Sequence, residues 1–281
     1  MHEHTQKTVA VQVQRVGSTQ RADQTGREDC LAREEPLEIR LAHRERMRRS
    51  DRSVAVTMRT PGNDSELATG FLLGEGLLPR LEHVRAIREL PEASTVRVEL
   101  VDEVRVDLKR LARNFYTTSS CGMCGKSSLA AIEWPIAASD ALPEGFVIPA
   151  QMIQRLPERL RAAQPIFERT GGLHAAALFS QAGELIVVRE DVGRHNAVDK
   201  VIGSRFLAGA MPISDAVLFV SGRASFELVQ KAVVAGIPML AAVGAPSSLA
   251  VELAQRFNMT LVGFVRDERF NIYCGGQRIS A

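Results

Sequence analysis

The chain has few cysteines, almost no net charge and no long apolar run. Each of these absences excludes a class of protein. Only four of its 281 residues are cysteine, and two of them, Cys121 and Cys124, lie three positions apart. The disulfide framework of a small secreted domain uses more cysteines at a wider spacing. We therefore expect a soluble protein of a reducing cytoplasm.

Charge and hydropathy exclude two further kinds of partner. The 35 Lys and Arg residues nearly balance the 33 Asp and Glu residues, so the whole surface has no positive field of the kind that binds nucleic acid. The longest apolar stretch, residues 233–245, is interrupted by Gly236 and Pro238. We expect neither a nucleic-acid partner nor a membrane span, and an anionic ligand would need a local site.

The first half of the chain predicts a tail followed by a small α+β domain. Residues 1–33 are polar and lack a sustained apolar period, which predicts a disordered tail. Residues 34–115 contain alternating strands at 37–41 and 54–58, a helix from about 63 to 74, and a second hairpin of 96–100 with 104–108. The arginine-rich connection of the first hairpin is either a solvated loop or a docking patch for an acidic protein or a phosphate group.

The second half predicts a three-layer α/β domain at residues 149–281, after a cysteine loop and linker at 116–148. A helix is expected at 151–163, and strands at 175–179, 185–188, 216–220, 239–243 and 260–265 alternate with further helices. Asn196 is expected to cap one of these helices, and residues 270–273 to add a last strand. Such alternation predicts right-handed crossovers and a largely parallel central sheet.

Candidate binding residues follow the predicted strands, where loops lead into helix N-termini. Ser221, Gly222 and Arg223 open one helix, and residues 244–248 open the next. Small residues let a ligand approach the backbone, and Arg223 adds a cation for a phosphate group. Ordinary strand-to-helix turns with serine caps explain each loop equally well, but their occurrence on one edge favours an anionic, nucleotide-like ligand.

Two histidines lie in polar turns of the same region. His174 follows Gly171 and Gly172, and His195 follows Asp191 and Gly193 in a turn that combines acid, base and amide groups. Polar clusters flanked by glycine at strand ends favour a site over packing, although a lone histidine is usually structural.

The segment that contains both thiols has three possible roles. A structural zinc site needs four ligands, and one CxxC supplies two, while Cys30 and Cys274 stand alone in the sequence. A thioredoxin-like pair would begin a helix after a strand, whereas this pair lies in a linker. An exposed thiolate that carries sulfur as a persulfide is the third role, and Lys126 would favour the thiolate.

The motifs together resemble the FdhD family of sulfur-carrier accessory proteins for formate dehydrogenase. The resemblance runs from residue 34 to about 273 and is carried by the CGxCG loop and by five other groups of segments in one order. These are residues 59–62 with 66–72, 170–176, 189–200, 221–223 and 263–266.

This resemblance implies a sulfurtransferase-type reaction. Sulfur would pass from a cysteine desulfurase to Cys121, with Cys124 as helper, and then to a molybdenum or tungsten bis-guanine-dinucleotide cofactor for formate dehydrogenase. The cofactor would be a bound substrate, with no permanently bound cofactor or metal. The family's cofactor segment falls on Phe264, Val265, Arg266, Asp267, Glu268 and Arg269, to which we add Ser221, Gly222, Arg223, His174, Asp191 and His195.

The resemblance also implies a cytidine-deaminase-like fold for the second domain. The zinc-binding HxE and PCxxC pairs of deaminases are absent, so deamination is not expected. A nearly two-fold symmetric dinucleotide suits a homodimer with one strand-end site per subunit. The alternatives are a zinc-stabilised chaperone that binds the molybdenum cofactor without covalent sulfur chemistry, and a thiol-disulfide oxidoreductase.

Overall fold

A six-stranded sheet and a four-stranded sheet, with helices between them, form most of the structure. The computed structural model describes residues 7–13, 27–45, 48–106, 142, 145–266 and 268–281. The predicted cysteine loop, with Cys121 and Cys124, lies outside these residues, as does Asp267.

The described helices and strands are numbered in chain order. The strands are β1 Thr8–Val13, β2 Arg27–Ala32, β3 Glu35–Glu45, β4 Arg48–Arg59, β5 Val84–Leu90, β6 Thr95–Leu100, β7 Ile148–Pro149, β8 His174–Ser180, β9 Leu185–Asp191, β10 Ala216–Val220, β11 Met239–Ala242, β12 Thr260–Arg266, β13 Arg269–Cys274 and β14 Ile279–Ser280. The α-helices are α1 Asp64–Gly74, α2 Ala150–Ala162, α3 Pro165–Thr170, α4 Arg194–Leu207, α5 Phe226–Val234 and α6 Ser248–Arg256.

The six-stranded sheet is mixed, which corrects the prediction of a largely parallel sheet. Its strand order is β13-β12-β11-β10-β8-β9. Only two of its strand pairs, β10–β11 and β11–β12, are parallel. The pairs β8–β9, β8–β10 and β12–β13 are antiparallel. The connections β8–β9 and β12–β13 are too short for a crossover, so they can only form hairpins. The strand positions themselves were predicted correctly.

Both faces of this sheet are buried. On β10, Val217 and Phe219 contribute to the apolar core on one face, and Leu218 and Val220 to the core on the other. Helices α4, α5 and α6 cover the second face, while α2 covers the first. A three-layer α/β architecture is thereby confirmed. The likeness to cytidine deaminases stays a prediction.

The four-stranded sheet has the order β4-β3-β6-β5. The hairpin of β3 and β4 and the following helix α1 confirm the predictions for residues 37–58 and 63–74. The second hairpin was wrong: β6 pairs antiparallel with β5 and parallel with β3, and residues 101–106 contain no strand. A register shift between Val84 and Ala86 breaks the alternation of β5, which conceals that strand in the sequence.

Part of the predicted tail is ordered, so that prediction is corrected for residues 8–13 and 27–32. Here β1 and β2 form an antiparallel pair, and β2 lies beside α3. A Cβ added to Gly172 would lie 3.8 Å from the Cβ of Ala32. The β1–β2 pair therefore reaches the segment just before β8 of the six-stranded sheet. The boundaries of the other predicted domains stay predictions.

Candidate functional site

Two loops and the last part of β12 lie side by side where the parallel strands end. Gly244 donates its backbone N–H to the carbonyl of Gly222 at 2.9 Å, and Phe264 in β12 donates to the carbonyl of Gly244 at 3.1 Å. The loops after β10 and β11 and the last part of β12 are therefore joined through their backbones. Ser221, at the end of β10, accepts a hydrogen bond from the N–H of Ala175 on β8 at 2.9 Å. The structure thus brings the predicted loops together on one edge.

A side chain at Gly244 would be tightly packed where these segments touch. A Cβ on Gly244 would lie 3.0 Å from the carbonyl oxygen of Gly222 and 3.1 Å from Cγ of Arg223. Phe264 has a φ of +54°, a left-handed conformation that is strained for a bulky aromatic residue. The Arg266 guanidinium lies 5.7 Å from the centroid of the Phe264 ring. This edge therefore combines close backbone packing with exposed cations.

The predicted segment from Phe264 to Arg269 divides between surface and core. Arg266, Glu268 and Arg269 are exposed, whereas Val265 is fully buried in the core on the α2 side. The backbone carbonyl of Glu268 accepts a hydrogen bond from Nε2 of Gln154 at 2.6 Å, which ties this turn to α2. Val265 can therefore anchor the segment but cannot contact a ligand in this structure.

His174 lines a cavity of about 530 Å³ at the same edge. A Cβ on Gly222 would lie 3.5 Å from Nδ1 of His174, so the imidazole lies directly beside the loop after β10. Burial, together with the nearby charges of Arg194 and His195, lowers the pKa of His174 although Asp191 opposes the shift. His174 is therefore neutral near pH 7, and one ring nitrogen is left as an acceptor.

His195 lies in a different environment from His174. Its Nε2 is 3.3 Å from Oγ of Ser225 and 3.8 Å from Oε2 of Glu227. Burial alone raises the pKa of Glu227, but hydrogen bonds from His195, its own backbone N–H and Ser225 outweigh burial and lower the pKa to about 2. The sequence reasoning missed Glu227, which lies in the first turn of α5 and matches no motif.

Asp191 is fully buried and serves the framework of the site. Its Oδ2 lies 2.7 Å from Nζ of Lys200 and accepts the backbone N–H of Thr60 at 3.2 Å. Its Oδ1 accepts from the N–H of Gly193 at 2.8 Å and from Nδ2 of Asn196 at 3.1 Å. Asp191 thus joins the start of α4 to the end of β4.

Asn196 does not cap a helix, which corrects that prediction. Gly193 is the N-cap of α4, and Asn196 lies within the first turn. The Asn196 side chain donates to Asp191 and, at 2.7 Å, to the carbonyl of Met58. It was mistaken for a cap because Asn is a common capping residue, while its partners are distant in the sequence.

Helices α2 and α3 form the outer wall of the cavity. Glu190, at the end of β9, accepts the backbone N–H groups of Ile166 and Phe167 at 3.1 and 2.7 Å and so caps α3. The guanidinium of Arg161 lies 4.2 Å from the centroid of the Phe167 ring. Gln164 lies between the two helices and lines the cavity. Arg161, Gln164 and Phe167 were not predicted, because no motif marks them.

Leu142 lies at the other end of the six-stranded sheet from the histidine cavity. Leu142 is buried and lines a second cavity of about 600 Å³ with Met211, Pro212 and Gly236. These three residues precede β10 and β11, whereas Ser221 and Gly244 follow those strands. Leu142 and the histidine cavity are therefore at opposite edges of the six-stranded sheet.

Metal and membrane features were also sought in the described ranges. Within them, no three His, Cys, Asp or Glu side chains are grouped so that they could hold a metal ion. No helix there is long and apolar enough to cross a membrane. Burial raises the pKa of the Cys274 thiol, whose Sγ contacts the carbonyl of Met259 at 3.2 Å. Whether a metal binds the chain stays a prediction.

The cavity, the joined loops and the exposed arginines form a candidate small-molecule site at the strand ends of the mixed sheet of an α/β protein. The chain belongs to the FdhD/NarQ family, whose sequence model matches residues 32–280.

The relatives that it matches cover most of its length. It is 51% identical to a Streptomyces coelicolor protein named "Sulfur carrier protein FdhD" over 266 residues, 90% of each chain. A protein of the same name from Mycobacterium tuberculosis is 48% identical over 267 residues, 90% of this chain and 93% of the relative. A crystal structure from Desulfotalea psychrophila, of a protein proposed to be a formate dehydrogenase accessory protein, has a TM-score of 0.75 and 26% identity, covering 97% of this chain and 99% of the other.

Proposed function

We propose that this protein is a sulfur carrier that serves the maturation of a formate dehydrogenase. The observation that carries the proposal is the 51% identity, over 90% of the chain, to a protein named as a sulfur carrier. The name of the Desulfotalea psychrophila protein supports the choice of formate dehydrogenase as the enzyme served. A cytoplasmic location agrees with the scarcity of cysteine.

Cys121 is the sulfur acceptor in this proposal, and a cysteine desulfurase is the donor. The Cys121 thiolate attacks the terminal sulfur of the donor's persulfide, the S–S bond of the donor breaks, and the donor leaves as a thiolate. A persulfide then exists on Cys121, and no external oxidant or reductant is needed. Cys124 is the helper. Cys274 is a poor alternative sulfur acceptor, because burial raises the pKa of its thiol and so disfavours the thiolate.

The sulfur is passed to a molybdenum or tungsten bis-guanine-dinucleotide cofactor, which is a bound substrate in this proposal. Support comes from the loops after β10 and β11 and from the last part of β12, which together offer small residues for close approach and the exposed cations Arg223 and Arg266. The adjoining cavity of about 530 Å³ is within the ~300–1,000 Å³ usual for small-molecule sites. A homodimer with one such site per subunit would hold the two nucleotide halves.

The test is intact-mass measurement after incubation with a cysteine desulfurase and cysteine. We expect one added sulfur atom per chain, located by peptide analysis at Cys121. Cys121→Ala should abolish the addition and leave guanosine diphosphate binding intact, while Cys30→Ala should load as the wild type does. Sulfur found on another residue of the Cys121→Ala protein would refute the carrier role of Cys121.

The same preparations separate the alternative functions. Stoichiometric zinc in the purified wild type, lost when either Cys121 or Cys124 is replaced, would favour the zinc-stabilised chaperone over the carrier. Sedimentation with and without guanosine diphosphate tests the dimer. A monomer under both conditions would contradict a homodimeric site.

A further inference from the structure

The four-stranded sheet has an inner face, which belongs to the core, and an outer face. Leu41 of β3 and Val98 of β6 are buried on the inner face. Of the described helices, α1 makes the main contacts with this sheet, and it lies on the inner face. Side chains alternate along a strand, so Arg40, Arg97 and Arg88, which lie opposite one another on β3, β6 and β5, are on the outer face.

Arginines outnumber carboxylates on and beside the outer face. In the ion pairs of the described residues, six arginines share four carboxylates, which leaves an excess of two positive charges. We call the six the arginine cluster: Arg40, Arg44, Arg49, Arg85, Arg88 and Arg97. The carboxylates are Glu38, Asp51, Glu99 and Asp102. The side chains of Arg88 and Arg49 are 59% and 44% exposed, so guanidinium N–H groups of both can reach a partner.

The carboxylates within the arginine cluster remain ionised. The hydrogen bond from Arg49 is the main reason that the pKa of Asp102 is lowered. Burial raises the pKa of Glu99, but the hydrogen bond from Arg97 and the charge of Arg88 outweigh burial and lower the pKa overall. Both groups are therefore negative at pH 7, and the positive excess of the cluster is what a partner would meet.

An apolar strip borders the arginine cluster on the outer face. In the pairing of β3 with β4, Val56 lies opposite Glu38 and Met58 lies opposite Pro36. Val56 is 68% exposed and Met58 is 47% exposed. Exposed apolar side chains beside arginine are typical of protein interfaces, in which Met and Arg are enriched. A nucleic acid would have no use for the strip, and the carboxylates would repel its phosphates, so the outer face favours a protein partner.

We propose that the outer face of the four-stranded sheet docks an acidic surface of the protein that donates sulfur to Cys121. The inference rests on the proposed function, which requires such a donor. The described chain continues from β6 through Asp102 to Val106, fifteen residues before Cys121. A donor on this face would therefore lie beside the point from which the chain leads to its sulfur acceptor. For the arginine-rich connection of the first hairpin, the docking patch is thus favoured over the solvated loop.

The size of the outer face suits a transient complex. Four strands of this length present roughly 500 Å² of sheet surface. One partner of a standard stable interface contributes about 800 Å², and smaller contacts are usual for short-lived encounters. A carrier has to leave its donor once it is loaded. Opposite charges on the two surfaces would speed the encounter, and salt would weaken it.

The experiment measures the initial rate of sulfur loading on Cys121 as the concentration of the full-length carrier rises, with a trace of the cysteine desulfurase of the same organism. Arg88→Glu reverses the most exposed charge of the cluster, and Arg88→Lys keeps that charge. Arg155→Glu, exposed on α2, makes the same change of net charge elsewhere. We expect Arg88→Glu to raise the half-saturating concentration about tenfold without changing the maximal rate. The other two variants should behave as the wild type does.

Salt and the apolar strip give further readouts. Raising sodium chloride from about 50 to about 500 mM should raise the half-saturating concentration of the wild type and narrow its difference from Arg88→Glu. Val56→Asp should act in the same direction as Arg88→Glu, because it adds a negative charge and removes an apolar contact from the same face.

Three outcomes would overturn the inference. The first is equal half-saturating concentrations for the wild type and Arg88→Glu. The second is an equal loss in Arg155→Glu, which would mean that only net charge matters. The third is a homodimer that dissociates in Arg88→Glu, which would show that a second copy of the chain covers the face.

One measurement does not depend on the folding of any variant. In the wild type, saturating desulfurase should slow hydrogen exchange in residues 84–100, and exchange that stays unchanged overturns the inference. Glutathione persulfide, a small donor that needs no docking surface, should load Cys121 of the wild type and of Arg88→Glu equally, and an equal loss with both donors also overturns it. Failure of either donor to load wild-type Cys121 would refute the carrier function itself.

Discussion

The ion pair of Asp191 and Lys200 is the polar contact that fixes the start of α4 against the four-stranded sheet. Both side chains are essentially inaccessible, and Lys200 also donates to the carbonyl of Thr60 at 2.7 Å. Burial lowers the pKa of Lys200, although the charge of Asp191 raises it. A buried charge that loses its partner is much more costly than an exposed one.

We therefore expect Lys200→Met to lower the free energy of unfolding by about 3–5 kcal/mol. The matched control is Arg80→Met, whose ion pair with Glu82 has side chains 70% and 68% exposed and should contribute no more than about 1 kcal/mol. Urea denaturation at pH 7 measures both. Equal effects of the two substitutions would mean that the buried pair does not stabilise the fold.

The lowered pKa of Glu227 predicts how the stability of the fold changes in acid. Its pKa is about 2 in the folded protein, below the ordinary value of 4.5, because its hydrogen bonds outweigh burial. A carboxylate with a lowered pKa stabilises the fold above its unfolded pKa, and this contribution disappears as the pH falls through the folded value. The relevant window is therefore about pH 4.5 to 2.

We expect the wild type to exceed Glu227→Gln in unfolding free energy by up to about 3 kcal/mol at pH 6. The gap should close as the pH falls from 4.5 to 2, as measured by urea denaturation at several pH values. Glu252→Gln, on the exposed side of α6, is the control and should show no such gap. A gap that persists undiminished to pH 2 would contradict the role assigned to Glu227.

At the level of elements, α1 and α4 approach each other closely enough for their backbones to touch. A Cβ on Gly203 of α4 would lie 1.8 Å from the carbonyl oxygen of Glu66, and a Cβ on Gly70 of α1 would lie 1.9 Å from that of Asp199. Only glycine fits such a crossing. It places α4 directly against α1.

Gly203→Ala should destabilise the protein by about 3 kcal/mol, because the backbone that it meets cannot move aside cheaply. Helix propensity alone would give the opposite sign, since alanine is favoured over glycine by ~1 kcal/mol. Gly145→Ala is the control, because a Cβ there has no neighbour within 4 Å. Thermal denaturation of the three proteins checks the prediction, and a Gly203→Ala protein as stable as the wild type would refute it.

At the level of the whole molecule, the two sheets share one apolar core. A single contiguous cluster contains Leu37, Ile39 and Val98 of the four-stranded sheet together with Leu218 and Leu240 of the six-stranded sheet. Helices α1 and α4 lie between the sheets and contribute to the same cluster. In the part that the structure describes, residues 34–115 therefore share their core with residues 149–281, whose six-stranded sheet has a second core on its α2 face.

We expect a single cooperative transition in differential scanning calorimetry, since the shared core cannot be lost in halves. Gly203→Ala should shift this transition to lower temperature without splitting it. Two resolved transitions in the wild type would show that the domains unfold independently.

The local sequence pattern was sufficient to predict most strands and helices. It failed where a strand or side chain depends on a partner that is distant in the sequence. Residues 216–220 and 239–243 were recognised because both faces are buried, which gives short continuous apolar runs. The pairing of β6 with β5 and the direction of β8 depend on partners that no window of sequence contains. The same holds for Asn196, whose partners Met58 and Asp191 come from two other elements.

The candidate site shows the same division. The sequence alone determined the α/β class, the family motifs and the loops at residues 221–223 and 264–269, because these depend on short-range pattern and on chemistry-bearing residue types. The tertiary structure alone decided that Asp191 and Val265 are buried, that His174 and His195 differ in environment, and that Gln164 lines the cavity. Burial and hydrogen bonding are properties of packed neighbours, and those neighbours are brought together only when the chain folds.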